Sequence, residues 1–302
     1  MISKVKKIFS LIQNNLLKFI YLLKPKYFHY QSYNLFRNYA ARPKIVGLEL
    51  TKDTLIGKRK DLIYLPNDTQ LTWQVMKYGG LDYPISRIIK TNLKNDENYV
   101  FIDIGANVGL VSRQLKFGNK NIEHFFCVEP VSETFECLKK NTSNFTNIDL
   151  FNFGLGSENS TMNIFIDESN HGNASLEESM MIFSKFSKYR KEEVQIKSVS
   201  DFFDKIKNQL INKKIIIKID VQGFDELIIS LIPEYILEKT VLLNYELTKD
   251  DNLKKPQISN EKFQKNLNFF NTIWSEEIKG LTFDKVINNS FKNIETDIYL
   301  MK

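Results

Sequence analysis

From Tyr99 onward, short apolar runs alternate with segments whose apolar residues recur every three or four positions. The run 99–104 ends at a glycine turn, as a strand buried on both faces should. The same reading predicts strands over 125–129, 148–153, 214–220 and 240–247. Between them, helical spacing covers 110–116, 133–144 and 226–232. Strands alternating with helices imply an α/β fold with a mostly parallel, doubly wound sheet. Residues 297–301 are predicted as a final strand, antiparallel at the sheet edge. Upstream, helical patterns over 70–78 and 84–93 flank Gly79-Gly80. The segment holding them reads equally as a cap over an active site or as a structural lead-in.

The first residues follow another pattern. Ile2, Val5, Phe9, Ile12, Leu16, Phe19 and Leu23 form one helical stripe, with Lys4, Lys7 and Lys18 outside it and Pro25 at its end. Residues 1–60 carry thirteen Lys or Arg against two acidic residues, whereas the remainder holds 29 basic and 34 acidic side chains. The net charge of +6 therefore belongs to the N-terminal arm. A basic amphipathic helix suits an anionic membrane interface; packing on the body or on a second subunit is the alternative. A cleaved signal peptide is not expected, because Gln13-Asn14-Asn15 breaks the apolar run. The expected organisation is a helix over 1–24, an N-terminal extension over 25–95 and the main domain over 96–302. With 302 residues, 42% of them apolar, a sizeable core is expected. Cys127 and Cys137 cannot build a disulfide framework, and no spacing suggests zinc. The expected location is cytoplasmic, with peripheral contact at the inner membrane face.

Candidate chemistry lies where strands end, since ligands in such folds sit beyond the strand carboxyl ends. After 99–104 comes Asp103-Ile104-Gly105-Ala106-Asn107-Val108-Gly109. Gly105 allows a tight turn and Gly109 a close helix–strand approach, and the next helix offers free N–H donors. Glu129 stands 24 residues beyond Gly105, where an acidic side chain commonly binds ribose hydroxyls. Together they describe a site for a nucleoside-containing cofactor, an unliganded glycine turn being the plainer reading. A dinucleotide loop needs a middle glycine, yet Asn107 holds that position. Asp103 beside the loop would repel a pyrophosphate and suits an ammonium group, which points to S-adenosylmethionine.

These motifs resemble those of the FkbM family of S-adenosylmethionine-dependent methyltransferases. FIDIGANVG (101–109) is similar to the family's first motif, CVEP (127–130) to its ribose-binding strand end, and KIDVQGFDE (218–226) to its fourth-strand signature. Gln222 and Asp225 stand where that signature commonly has glutamate. The resemblance implies a class I methyltransferase fold, Rossmann-like, and methyl transfer to oxygen on a glycan or other small molecule. It implies a place in surface polysaccharide or glycolipid biosynthesis. It further implies that Asp103, Gly105 and Gly109 hold the methionine end, Glu129 the ribose, and Gly154-Leu155 the adenine; Asn107, within the same loop, is also a candidate for cofactor binding.

Methyl transfer to a hydroxyl needs alignment and a base. Asp220, Glu246 and His171 are the candidates. Asp220 follows the fourth strand; orienting cofactor or capping a helix is its plainer role. Glu246 could equally be a buried ion-pair partner, and His171, in the segment NHGNAS read as a loop, an incidental histidine. Asp220 with Glu246 could hold a divalent cation such as Mg²⁺, though no metal site is expected. Nucleic acid is not an expected partner: no Asn/Asp-Pro-Pro-aromatic tetrad follows the fourth strand, and neither cysteine follows a proline. The alternatives are a nicotinamide-dependent oxidoreductase and a non-catalytic module of the same fold.

Overall fold

The computed structural model describes residues 45–302 except 51, 67–69, 79–83, 95, 120, 169, 184–188, 250–255, 257–258 and 288–293. The expected helix over 1–24 and the start of the extension lie outside the described residues. Chain order begins with an antiparallel pair, β1 (Ile45–Glu49) and β2 (Leu62–Pro66), then α1 (Gln70–Tyr78) and α2 (Pro84–Asn92). The central units follow: β3 (Tyr99–Ile104), α3 (Leu110–Gly118), β4 (Ile122–Val128), α4 (Ser132–Asn141) and β5 (Ile148–Phe151).

An excursion of four strands comes next: β6 (Gly154–Gly156), β7 (Ser160–Asp167), β8 (Asn170–Ser175) and β9 (Tyr189–Ser198). The chain then returns through α5 (Val199–Ile206), β10 (Lys214–Ile219), α6 (Asp225–Leu231), α7 (Glu234–Leu237) and β11 (Thr240–Lys249). It closes with α8 (Asn260–Leu267), β12 (Thr272–Trp274), α9 (Phe283–Ile287) and β13 (Ile294–Met301).

The seven-stranded sheet runs β12-β13-β11-β10-β3-β4-β5. The ladders among β11, β10, β3, β4 and β5 are parallel, and β13 is antiparallel to both neighbours. This is the α/β, class I methyltransferase arrangement. One expectation needs correction: β13 is antiparallel but is not an edge strand, because three residues of β12 pair along its outer side. The segment NHGNAS is likewise not a loop. It is β8, in a separate sheet of order β6-β9-β7-β8. Its polar residues hid the strand, but His171 and Ser175 are buried in it.

Strand alternation sorts the core into two layers. Val100, Ile102, Ile215 and Ile217 pack against Phe202 and Phe203 of α5 and Ile228 and Ile229 of α6. Phe101, Phe125 and Ile216 face the other way, toward Ile85 and Ile89 of α2 and Leu115 of α3. Each fully buried side chain contributes roughly 1.5–3 kcal/mol. The first strand pair joins the body through Ile63, Leu65, Val108, Leu110 and Cys137. Asn141, fully buried at the end of α4, fastens it: its amide donates to Tyr64 O (2.8 Å) and Val108 O (2.7 Å), and its oxygen accepts from Tyr64 N (2.7 Å).

Candidate active site

Strand order reverses between β3 and β10, so the crevice beyond these two strands is where a ligand of this fold is expected. A cleft there encloses about 620 Å³ of empty space, including its open mouth. It is lined by Gly105, Asn107, Val128, Glu129 and Pro130 together with Asp220, Val221 and Phe224. The excursion supplies a wall of Gly154, Leu155, Ile164, His171, Ala174 and Leu176. Of the residues predicted to hold a cofactor, Gly105, Asn107, Glu129, Gly154 and Leu155 are brought together. Asp220 and His171 line the same cleft.

The glycine turn is dictated by contact. Gly105 has φ +78°, and a β-carbon there would lie 1.9 Å from the backbone oxygen of Asp220. Gly105 N and Ala106 N both donate to Val128 O, at 3.0 and 2.9 Å, which pins the loop over β4. Gly109, φ +80°, stands at the cap of α3 against Leu138 and lies behind the cleft. Asn107 adopts φ +51°, and its side-chain oxygen is buried with no hydrogen-bond partner among the described residues.

Both oxygens of Glu129 accept backbone N–H groups, from Asn107 at 2.9 Å and Val131 at 2.9 Å. Burial nevertheless pushes its pKa up to about 7, with Asp103 and Asp220 adding repulsion against the relief from those two bonds. Asp103 sits elsewhere than a ligand-touching role requires. It is fully enclosed, accepts from Ser112 Oγ at 2.8 Å and faces Lys218 Nζ at 3.8 Å, beneath the loop. Burial raises its pKa against the pull of Lys218.

Lys218, a buried cation on β10, gave no sequence signal beyond a charge inside an apolar run. Its Nζ lies 3.1 Å from Asp220 Oδ2. Burial works against that charge, but Asp220 and Asp103 outweigh it and hold the pKa above the ordinary lysine value. The other oxygen of Asp220 accepts from Gln222 Nε2 at 3.0 Å, and the same nitrogen donates to Glu246 Oε2 at 2.8 Å. Glu246 is raised well above the usual carboxylate range by burial and by Asp220 and Asp225, a direction that disfavours its anionic form. His171 turns its Nε2 toward Glu133 of α4, 4.0 Å away, and Glu133 in turn pairs with Arg190 at 3.2 Å. That faces His171 toward the helix following Glu129. Among the described residues, no group of three or more His, Cys, Asp or Glu side chains is placed to hold a metal ion. No described helix is long and apolar enough to cross a membrane.

The profile of the methyltransferase FkbM domain family matches residues 103–274, more than half of the chain. The chain belongs to this family. The match spans the glycine turn, Glu129, the excursion and Asp220, so an FkbM methyltransferase domain, S-adenosylmethionine-dependent, contains the whole cleft. The nicotinamide-dependent reading is thereby set aside.

Among solved structures, the chain is similar to an FkbM methyltransferase from Methylobacillus flagellatus: 14% identity, TM-score 0.39, covering 78% of this chain and 56% of that one. The present chain thus spans little more than half the length of that protein. An S-adenosylmethionine-dependent methyltransferase from Agrobacterium tumefaciens aligns with 9% identity and TM-score 0.39, covering 87% and 72% of the two chains. A precorrin-6y C5,15-methyltransferase from Geobacter metallireducens aligns with 12% identity and TM-score 0.32, covering 72% and 89%. No curated protein matches the chain. The family match alone decides the assignment.

Proposed function

We propose that this FkbM methyltransferase domain methylates a hydroxyl of a sugar, a glycan or another small molecule, with Asp220 receiving the hydroxyl proton. The observation that carries the reading is the placement of Asp220, which lines the same cleft as Glu129 while Lys218 and Gln222 each hold one of its oxygens. A carboxylate fixed on both sides and still open to the cleft is suited to accept a proton in a single orientation. S-adenosylmethionine, when bound, supplies a methyl carbon already activated by its sulfonium.

The residues present suit that cofactor. The buried side-chain oxygen of Asn107 is an acceptor without a donor among the described residues, and an ammonium group would supply one. In this reading Glu129 takes the ribose hydroxyls and Gly154-Leu155 the adenine, and their lining of the same cleft supports it. Asp103 acts from beneath, holding Ser112 of α3 and Lys218 of β10. The basic amphipathic pattern of residues 1–24 supports peripheral contact with a membrane where lipid-linked glycans are built; fractionation of a variant lacking those residues tests it.

The reaction is tested by following methyl-donor consumption with neutral sugars and extracted glycolipids, for the unaltered protein and Asp220→Asn. The variant should bind S-adenosylhomocysteine normally and lose on the order of 10²–10⁴ in turnover. Full turnover would remove Asp220 from the role of base. Surface glycans from cells lacking the gene should have lost one CH₂ unit by mass spectrometry; unchanged masses count against a glycan acceptor.

A further inference from the structure

We propose that Gln222 is a positioning residue whose side-chain amide bridges Asp220 and Glu246 in the place a divalent cation would otherwise take, so that this end of the site works without a cation. The inference rests on the reading of Asp220 as proton acceptor. It begins from an unusual backbone. Gln222 and Gly223 follow one another with φ +48° and +96°, a conformation that costs a side-chain-bearing residue energy and persists only where the surroundings impose it. They do so here. Ser175 Oγ of β8 donates to Gln222 O at 2.7 Å, and Met180 packs over Gly223.

The strained turn aims one nitrogen between two carboxyl groups. Gln222 Nε2 is 3.0 Å from Asp220 Oδ1 and 2.8 Å from Glu246 Oε2. A primary amide has two N–H donors, one for each carboxyl oxygen, and Asp220 accepts one of them. Two carboxylates converging on one point are the donor set that Mg²⁺ or Mn²⁺ seeks. With the amide in that point, the gap is filled, and the residues present do not fit a bridging cation. Asp220 Oδ2 accepts from Lys218 at 3.1 Å, so each oxygen has a separate tether.

The test uses MnCl₂ and electron paramagnetic resonance on the full chain, with S-adenosylhomocysteine calorimetry as the check of a folded cleft. The unaltered protein should retain no Mn²⁺. Gln222→Glu should retain it, lose it again when Asp220→Asn is added, and keep its S-adenosylhomocysteine affinity within about threefold. Retention by the unaltered protein that Asp220→Asn abolishes overturns the proposal, as does a folded Gln222→Glu protein that retains none. Should Gln222→Glu not fold, Gln222→Met, of similar size and without donors, should show weak retention, and its absence in a folded protein is equally decisive. Neither readout requires an acceptor or methyl transfer, so a failure here is distinct from a failure of the O-methylation reading.

Discussion

Gly105 and Asp220 meet through their backbones, and the carbonyl oxygen of Asp220 occupies the space a side chain at 105 would need. The turn that begins the cofactor end and the residue assigned to the proton are therefore in van der Waals contact. Gly105→Ala should force the two apart. The left-handed backbone alone costs at least about 1–2 kcal/mol, and the contact adds to it. A lowered Tm together with loss of S-adenosylhomocysteine binding is expected; normal calorimetric binding would mean that the loop relaxes without consequence.

Glu129 makes stability depend on pH. Its folded pKa of about 7 lies above the ordinary 4.5, so its contribution is fully present below about 4.5 and is lost as pH rises through 7. A shift of this size amounts to at most about 3 kcal/mol. Urea unfolding of the cofactor-free protein at pH 5 and pH 8 should show that decline, and Glu129→Gln should flatten it. Identical pH dependence in the two proteins would refute the assignment.

Arg113 ties α3 to the segment carrying β1 and β2. Its guanidinium is buried, donates to Ile56 O at 2.6 Å and to Asn141 O, and pairs with Asp61 at 3.3 Å. Arg113→Met leaves two carbonyls without their donor and should cost about 3 kcal/mol. Equilibrium unfolding measures the loss, and limited proteolysis should find new cuts within 45–66. An unchanged midpoint would show the strand pair to be an independent attachment.

His171 offers a contrast between binding and catalysis. Because it faces Glu133 at the start of α4, His171→Asn should weaken S-adenosylhomocysteine binding on the order of tenfold, about 1.4 kcal/mol, with turnover at saturating donor within about threefold. Turnover reduced a hundredfold at unchanged affinity would instead make His171 the base.

Legibility in the sequence followed the source of each element's stability. β3 and β10 are buried on both faces, so they read as apolar runs, and Tyr99–Ile104 was bounded correctly by pattern alone. Glu129 and the glycine turn were legible because close backbone approach demands specific residue types. β8 was not, since its side chains are polar and its partner β7 lies in a sheet the periodicity did not predict. The enclosure of Asp103 and Lys218 was hidden too, because their pairing depends on the register between β3 and β10. Gln222 was visible only as an unexpected residue type. Its bridging position follows from the two left-handed dihedrals that precede α6.

The insertion of β13 between β11 and β12 also sets an order of assembly. β12 precedes β13 along the chain, yet among the described strands its ladder partner is β13. The cleft-forming strands β3, β4 and β10 can pair before 294–301 arrive, whereas β12 has no strand of this sheet to pair with until then. Pairings that span long stretches of chain form slowly. Refolding should therefore show a late phase at Trp274, whose ring lies 5.3 Å from that of Tyr299, after the cofactor end has already closed.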